Sequence, residues 1–159
     1  LIDYVDPFIG TTNFGTTNPG AVCPNGMMSV VPFNVMGSAD NTYDKDARWW
    51  STPYEYTNCF FTGYAHVNLS GVGCPELGSL LLMPTTGELN VDYKEYGSKY
   101  KDEQASPGYY SNYLTKYNVK TEVSATPRPF YFSKRQKPYI AEFRRGTDER
   151  KWRYAPPCQ

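Results

Sequence analysis

Ser106-Pro107-Gly108-Tyr109-Tyr110-Ser111-Asn112-Tyr113-Leu114, followed closely by Asn118-Val119-Lys120-Thr121-Glu122-Val123-Ser124-Ala125-Thr126, decides the fold of this chain. Pro-Gly is a turn signal, because proline presets one turn position and glycine tolerates the next. The run after the turn is rich in tyrosine. The second run alternates apolar and polar residues with period two, the pattern of a half-buried strand. Two strand-like runs behind a Pro-Gly turn describe antiparallel pairing.

The pattern repeats upstream. Met28 to Phe33 reads as a strand, and Ser79 to Pro84 (Ser-Leu-Leu-Leu-Met-Pro) as a strand buried on both faces. Glu88 to Tyr93 alternates like a half-buried strand. Asn18-Pro19-Gly20 and Pro24-Asn25-Gly26 are turn signals, Asn34 to Asn58 reads as a long polar and aromatic loop, and Gly63 to Gly73 as irregular. No window carries a helical period of apolar residues. Short strands joined by Gly/Pro turns predict an all-β antiparallel sandwich.

Composition agrees. Aromatic residues make up 16% of the 159 residues, with 15 Tyr, 13 Gly and 13 Pro, whereas charged residues are only 20%. A helix bundle draws instead on Ala, Leu, Glu and Lys. No stretch approaches the ~18 apolar residues of a membrane helix, and no signal peptide opens the chain. The net charge of zero is unevenly spread: residues 1–127 hold seven Lys/Arg and thirteen Asp/Glu (−6), and residues 128–159 hold nine and three (+6). The acidic body excludes a nucleic-acid footprint. Cys23, Cys59, Cys74 and Cys158 show no CxxC spacing, which argues against structural zinc. A disulfide or small core residues are both open readings, and no bridge is expected.

Five stretches in order carry a family resemblance: Tyr4-Val5-Asp6-Pro7-Phe8-Ile9-Gly10-Thr11; Asn18-Pro19-Gly20-Ala21 with Pro24-Asn25-Gly26-Met27; Phe61-Thr62-Gly63-Tyr64-Ala65-His66-Val67-Asn68-Leu69-Ser70-Gly71; Leu77-Gly78 with Leu81-Leu82-Met83-Pro84-Thr85; and Ala105-Ser106-Pro107-Gly108-Tyr109-Tyr110. Together they resemble the N-terminal domain of family 92 glycoside hydrolases, a family of exo-α-mannosidases. The chain departs from the pattern at Asn68, where a second His is common, and at Ser79, where an Asp is common. The resemblance implies a supersandwich-like β domain at 1–127 that packs on a larger C-terminal (α/α) barrel absent from this chain. It implies inverting hydrolysis of α-mannosidic bonds in mannose-containing glycans, by a Glu acid and an Asp base on that barrel. Such a pair stands about 6.5–9.5 Å apart. It also implies a calcium ion in the whole enzyme, with none expected on this chain alone, and an extracytoplasmic parent enzyme: periplasmic, cell-surface or secreted.

The resemblance stops near Arg128, where the charge reverses. In the neighbouring reading frame, Tyr139 to Glu142 and Thr147 to Tyr154 can spell the family's continuation. Residues 128–159 are therefore expected to be an out-of-frame, irregular tail that neither packs nor pairs well. A genuine basic arm is the other reading.

The candidate sugar-binding residues are Trp49, Trp50, His66, Asn68 and Ser70. Adjacent tryptophans in a polar loop cannot both point inward if the loop is extended, which leaves one ring face for sugar C–H groups. A lone histidine is more often structural; the resemblance is what raises His66 to a candidate, and Asn68 and Ser70 lie in the same motif. Asp40, Asp44 and Asp46 lack the spaced Gly and Glu of a calcium loop, and the lone Glu76 cannot serve as an acid–base pair. No catalytic residue and no metal ligand is expected here. Three functions follow: a substrate-site and scaffolding domain of an α-mannosidase, inert alone; a stand-alone carbohydrate-binding module; or a purely structural sandwich. Marginal stability and an exposed apolar face are expected of the isolated chain.

Overall fold

Nine strands and almost no helix follow one another in the computed structural model, which describes residues 2–12, 17–22, 29–35, 53–66, 80–125 and 142–144. A single 3₁₀ turn, Ile2–Tyr4, comes first. Then come β1 (Ala21–Val22), β2 (Ser29–Phe33), β3 (Phe60–Phe61), β4 (Gly63–His66), β5 (Leu80–Leu82), the one-turn helix α1 (Tyr93–Tyr96), β6 (Ser98–Ser106), β7 (Tyr109–Leu114), β8 (Val119–Ser124) and β9 (Glu142–Arg144). Among the described residues these form two sheets, ordered β1-β2-β4-β5 and β3-β6-β7-β8-β9, with every pair antiparallel. The fold is all-β, as the turn pattern predicts.

The Pro-Gly signal does what its chemistry requires. Ser106 pairs with Tyr109, so Pro107 and Gly108 are the whole β6–β7 connection. Gly108 has φ 78°, which with a preceding proline is type II turn geometry. At the other end of β7, Asn118 takes φ 53° before β8, a left-handed position that asparagine tolerates. Upstream, Asn18 Oδ1 accepts the Gly20 N–H at 3.1 Å. A Cβ on Gly20 would lie 2.5 Å from the Val30 carbonyl oxygen and 2.8 Å from Val31 Cα. That glycine lets the chain entering β1 lie directly against β2.

The core lies between the sheets. Ala21, Val30 and Tyr64 from one sheet meet Phe61, Tyr100, Tyr110, Leu114 and Val123 from the other. Phe61 packs edge-on against Tyr64 (centroids 4.9 Å, 70°), and Tyr64 against Tyr110 (6.0 Å, 78°), arrangements that suit the ring quadrupoles. The outer side of β2 and β4 is covered by a smaller cluster of Phe33, Val35 and Ala65. Tyrosines in a core bring hydroxyls that need partners. Tyr64 Oη lies 2.5 Å from Thr121 Oγ1 and 3.3 Å from Asn112 Oδ1, and Thr121 Oγ1 itself donates to Asn112 Oδ1.

Several expectations are corrected. β5 forms within the Ser79–Pro84 run, but it is not buried on both faces: Leu80, Leu81 and Leu82 keep 54%, 40% and 45% exposure. Its burial would need a further layer that the described residues do not supply. No strand forms at Glu88–Tyr93. Asp92 Oδ1 accepts the Lys94 N–H at 2.9 Å and the Asp92 carbonyl accepts the Tyr96 N–H at 2.8 Å, capping α1, while Leu89 and Val91 stay exposed among the described residues. A local cap wins where alternation has no sheet to join. The start of Gly63–Gly73 is not irregular but strand β4. Within the tail, Glu142–Arg144 adds to β8 through Glu122↔Glu142, Thr121↔Phe143 and Lys120↔Arg144, and the rest of 128–159 lies outside the described residues. An open edge strand offers backbone groups to any extended segment, whatever its side chains.

Cysteine is the remaining correction. Cys59, just before β3, is disulfide-bonded, with its partner outside the described residues. Sequence spacing excluded a zinc motif but could not say which cysteines the fold brings together.

Candidate functional site

Of the five predicted sugar-binding residues, His66 alone falls within the described residues; Trp49, Trp50, Asn68 and Ser70 lie outside them, as do Asp40, Asp44, Asp46 and Glu76. His66 ends β4, opposite Val30 on one side and Leu80 on the other. It is 4% exposed, and its Nδ1 lies 3.1 Å from the Leu80 carbonyl oxygen. That oxygen can only accept, so Nδ1 carries a proton and ties β4 to β5 through a side chain as well as the ladder.

The most developed polar site lies where β2 ends and where the chain returns at Pro53. Asn34 is fully buried. Its Nδ2 donates to the Glu55 carbonyl at 2.9 Å, the Asn58 carbonyl at 3.2 Å and Tyr100 Oη at 2.7 Å, and its Oδ1 accepts the Glu55 N–H at 2.8 Å. The Asn34 N–H donates to the Pro53 carbonyl at 3.0 Å, and Asn58 Nδ2 to the Asn34 carbonyl at 3.1 Å. Tyr100 Oη donates onward to the Asn58 carbonyl at 2.7 Å. Asn34 and the Pro53–Asn58 stretch are thus clasped to each other and to β6.

Glu103 completes the clasp. The β6–β7 register slips between Lys101 and Gln104, and Asp102 takes φ 55°, so Asp102 and Glu103 form a bulge. Bulges re-aim side chains, and this one turns the Glu103 carboxyl toward the tyrosines. Tyr54 Oη lies 3.0 and 3.1 Å from its two oxygens, and Tyr110 Oη donates to Oε1. Burial pushes the Glu103 carboxyl up from 4.5 to about 7, against the opposing pull of the Tyr110 and Tyr54 hydroxyls. Burial, with the negative Glu103 next, also holds Tyr54, Tyr100 and Tyr110 well above the ordinary tyrosine range. Among the described residues Glu103 is the carboxyl whose proton affinity burial raises toward neutrality. Sequence reading missed it because Lys99 to Gln104 is a polar run in which the bulge breaks the alternation. Among the described residues no cluster of three His, Cys, Asp or Glu side chains gathers.

Fold and clasp define a class: an all-β domain of two antiparallel sheets with a buried polar clasp where β2 ends. The profile of the glycosyl hydrolase family 92 N-terminal domain matches residues 4–141. The chain belongs to that family. Its fold superposes on a family GH92 α-mannosidase from Bacteroides thetaiotaomicron with TM-score 0.66 and 34% identity, covering 79% of this chain. The same enzyme in complex with mannoimidazole gives 0.67 and 34%, covering 80%. An inverting GH92 mannosidase from Bacteroides thetaiotaomicron VPI-5482 gives 0.54 and 24% over 80% of this chain, a likeness of fold. The chain spans 17% of the length of each of these relatives. No curated protein sequence matches it.

Proposed function

We propose that this chain is the substrate-site and scaffolding domain of an inverting, calcium-dependent α-mannosidase, inert without the catalytic barrel. The observation that carries the reading is the 34% identity to a GH92 α-mannosidase over 79% of this chain. On this reading Trp49, Trp50, His66, Asn68 and Ser70 supply sugar contacts while acid, base and calcium come from the barrel. Two features support it. β5 is apolar on both sides yet open, as expected of a strand that packs against further polypeptide. The Cys59 disulfide suits an oxidising, extracytoplasmic compartment. Among the described residues no helix is long and apolar enough to cross a membrane.

The test has two arms. The chain alone, titrated calorimetrically with α-mannobiose, should bind nothing; measurable affinity would move the stand-alone binding module to the front. Joined to the barrel of the Bacteroides relative, residues 1–127 should support α-mannoside hydrolysis, and Trp50→Ala should lower kcat/KM. Unchanged turnover in Trp49→Ala, Trp50→Ala and His66→Ala would reduce the domain to a structural sandwich.

A further inference from the structure

Among the described residues Glu103 has hydroxyl partners and no cation. Its carboxyl is held by Tyr54 from the Pro53–Asn58 stem and Tyr110 from β7. Tyr100 from β6 and Tyr64 from β4 stand behind Tyr110, and Tyr56 adds to the negative surroundings of Tyr54. The further acids nearby in the chain are Asp102 beside it on β6 and the buried Glu55 on the stem. The nearest lysine along β6, Lys101, lies over the Tyr113 ring, 5.3 Å from its centroid. We propose that Glu103 is a proton-operated latch: protonated, it keeps the Pro53–Asn58 stem closed on β6 and β7, and ionised, it favours opening of that stem to water. This goes beyond the mannosidase reading and does not depend on it.

A half-buried carboxyl with no cation beside it loses part of its hydration when ionised, and two hydroxyl donors return only some of that. The stem is the movable side, since it is irregular backbone, whereas β6 and β7 are tied to each other along a ladder. Closed, the carboxyl titrates at about 7; opened to water, it titrates as an ordinary glutamate. Between those values the closed form keeps a proton that the open form has lost. The opening constant therefore rises about tenfold per pH unit, on the order of 10²-fold across the window, and levels off above it.

The test uses the full chain labelled with ¹³C-glutamate. The Glu103 Cδ resonance should titrate near neutrality. Hydrogen exchange of the Glu55 and Asn58 amides, which donate to Asn34 Oδ1 and the Glu55 carbonyl, should accelerate about 10²-fold from pH 4.5 to 7 after correction for intrinsic exchange. It should run ahead of the β7–β8 ladder amides. Glu103→Gln should abolish that pH dependence. Tyr54→Phe, which removes a donor to the ionised form, should move the Cδ midpoint upward. A midpoint in the ordinary glutamate range overturns the proposal. So does stem exchange that matches the ladder at every pH, or a pH dependence that survives Glu103→Gln.

Discussion

Replacing Asn34 by Asp changes one atom's chemistry at the centre of the clasp while keeping its shape. The wild-type amide donates toward three oxygens, the Glu55 and Asn58 carbonyls and Tyr100 Oη, and accepts the Glu55 N–H. Aspartate retains the accepting oxygen. Ionised, it turns a second oxygen toward two carbonyls that can only accept. Each orphaned acceptor costs about 1–3 kcal/mol, before the cost of burying the charge. Protonated, it restores one of the two lost donors. Holding that proton at pH 7 costs about 4 kcal/mol, at 1.36 kcal/mol per unit above the unfolded value near 3.9. The cheaper route therefore loses roughly 5 kcal/mol or more at pH 7 and roughly 1–3 kcal/mol at pH 4. The sign follows from linkage: the folded variant binds its proton more tightly than the unfolded chain, so its stability falls as pH rises. Urea melts of wild type and variant, paired at pH 4 and pH 7, read the difference with every other titration cancelled. A loss equal at the two pH values, or below about 1 kcal/mol at pH 7, would refute the assigned directions of these hydrogen bonds.

Three further outcomes are expected. Gly20→Ala places a Cβ 2.5 Å from the Val30 carbonyl oxygen; backbone must move, and the urea midpoint should fall by about 1–3 kcal/mol of stability. The wild-type chain should gain up to about 3 kcal/mol as pH falls from 7 to 4.5, because Glu103 titrates at about 7 when folded and near its ordinary value when unfolded; thermal melts of wild type against Glu103→Gln across that range check it. Leu81→Lys, at the exposed β5 edge, should reduce self-association in sedimentation velocity while leaving the far-ultraviolet spectrum unchanged.

Much of the fold was legible because it is written in local chemistry. Pro107-Gly108 forces a two-residue connection, Val119 to Ser124 alternates and is buried on alternate residues, and Met28 to Phe33 is apolar enough to form a central strand. Motif order carried the family, since five stretches in register need no contact to be recognised. The strand Ser98–Ser106 was hidden because its polar residues and its bulge at Asp102–Glu103 erase the period of two. Alternation misled at Glu88–Tyr93, because a pattern says which face would be apolar and not whether a sheet is there to receive it.

Sequence alone therefore determined the all-β class, the Pro107-Gly108 turn and the family, all set by residues that act on their immediate neighbours. Tertiary structure decided that Cys59 is bridged, that His66 is a buried tie between β4 and β5, and that Asn34, Tyr54, Tyr100 and Glu103 form one clasp. Residues 34 and 103 are far apart in the chain, and the proton affinity of a carboxyl depends on what encloses it. Only the packing of the two sheets brings those groups together.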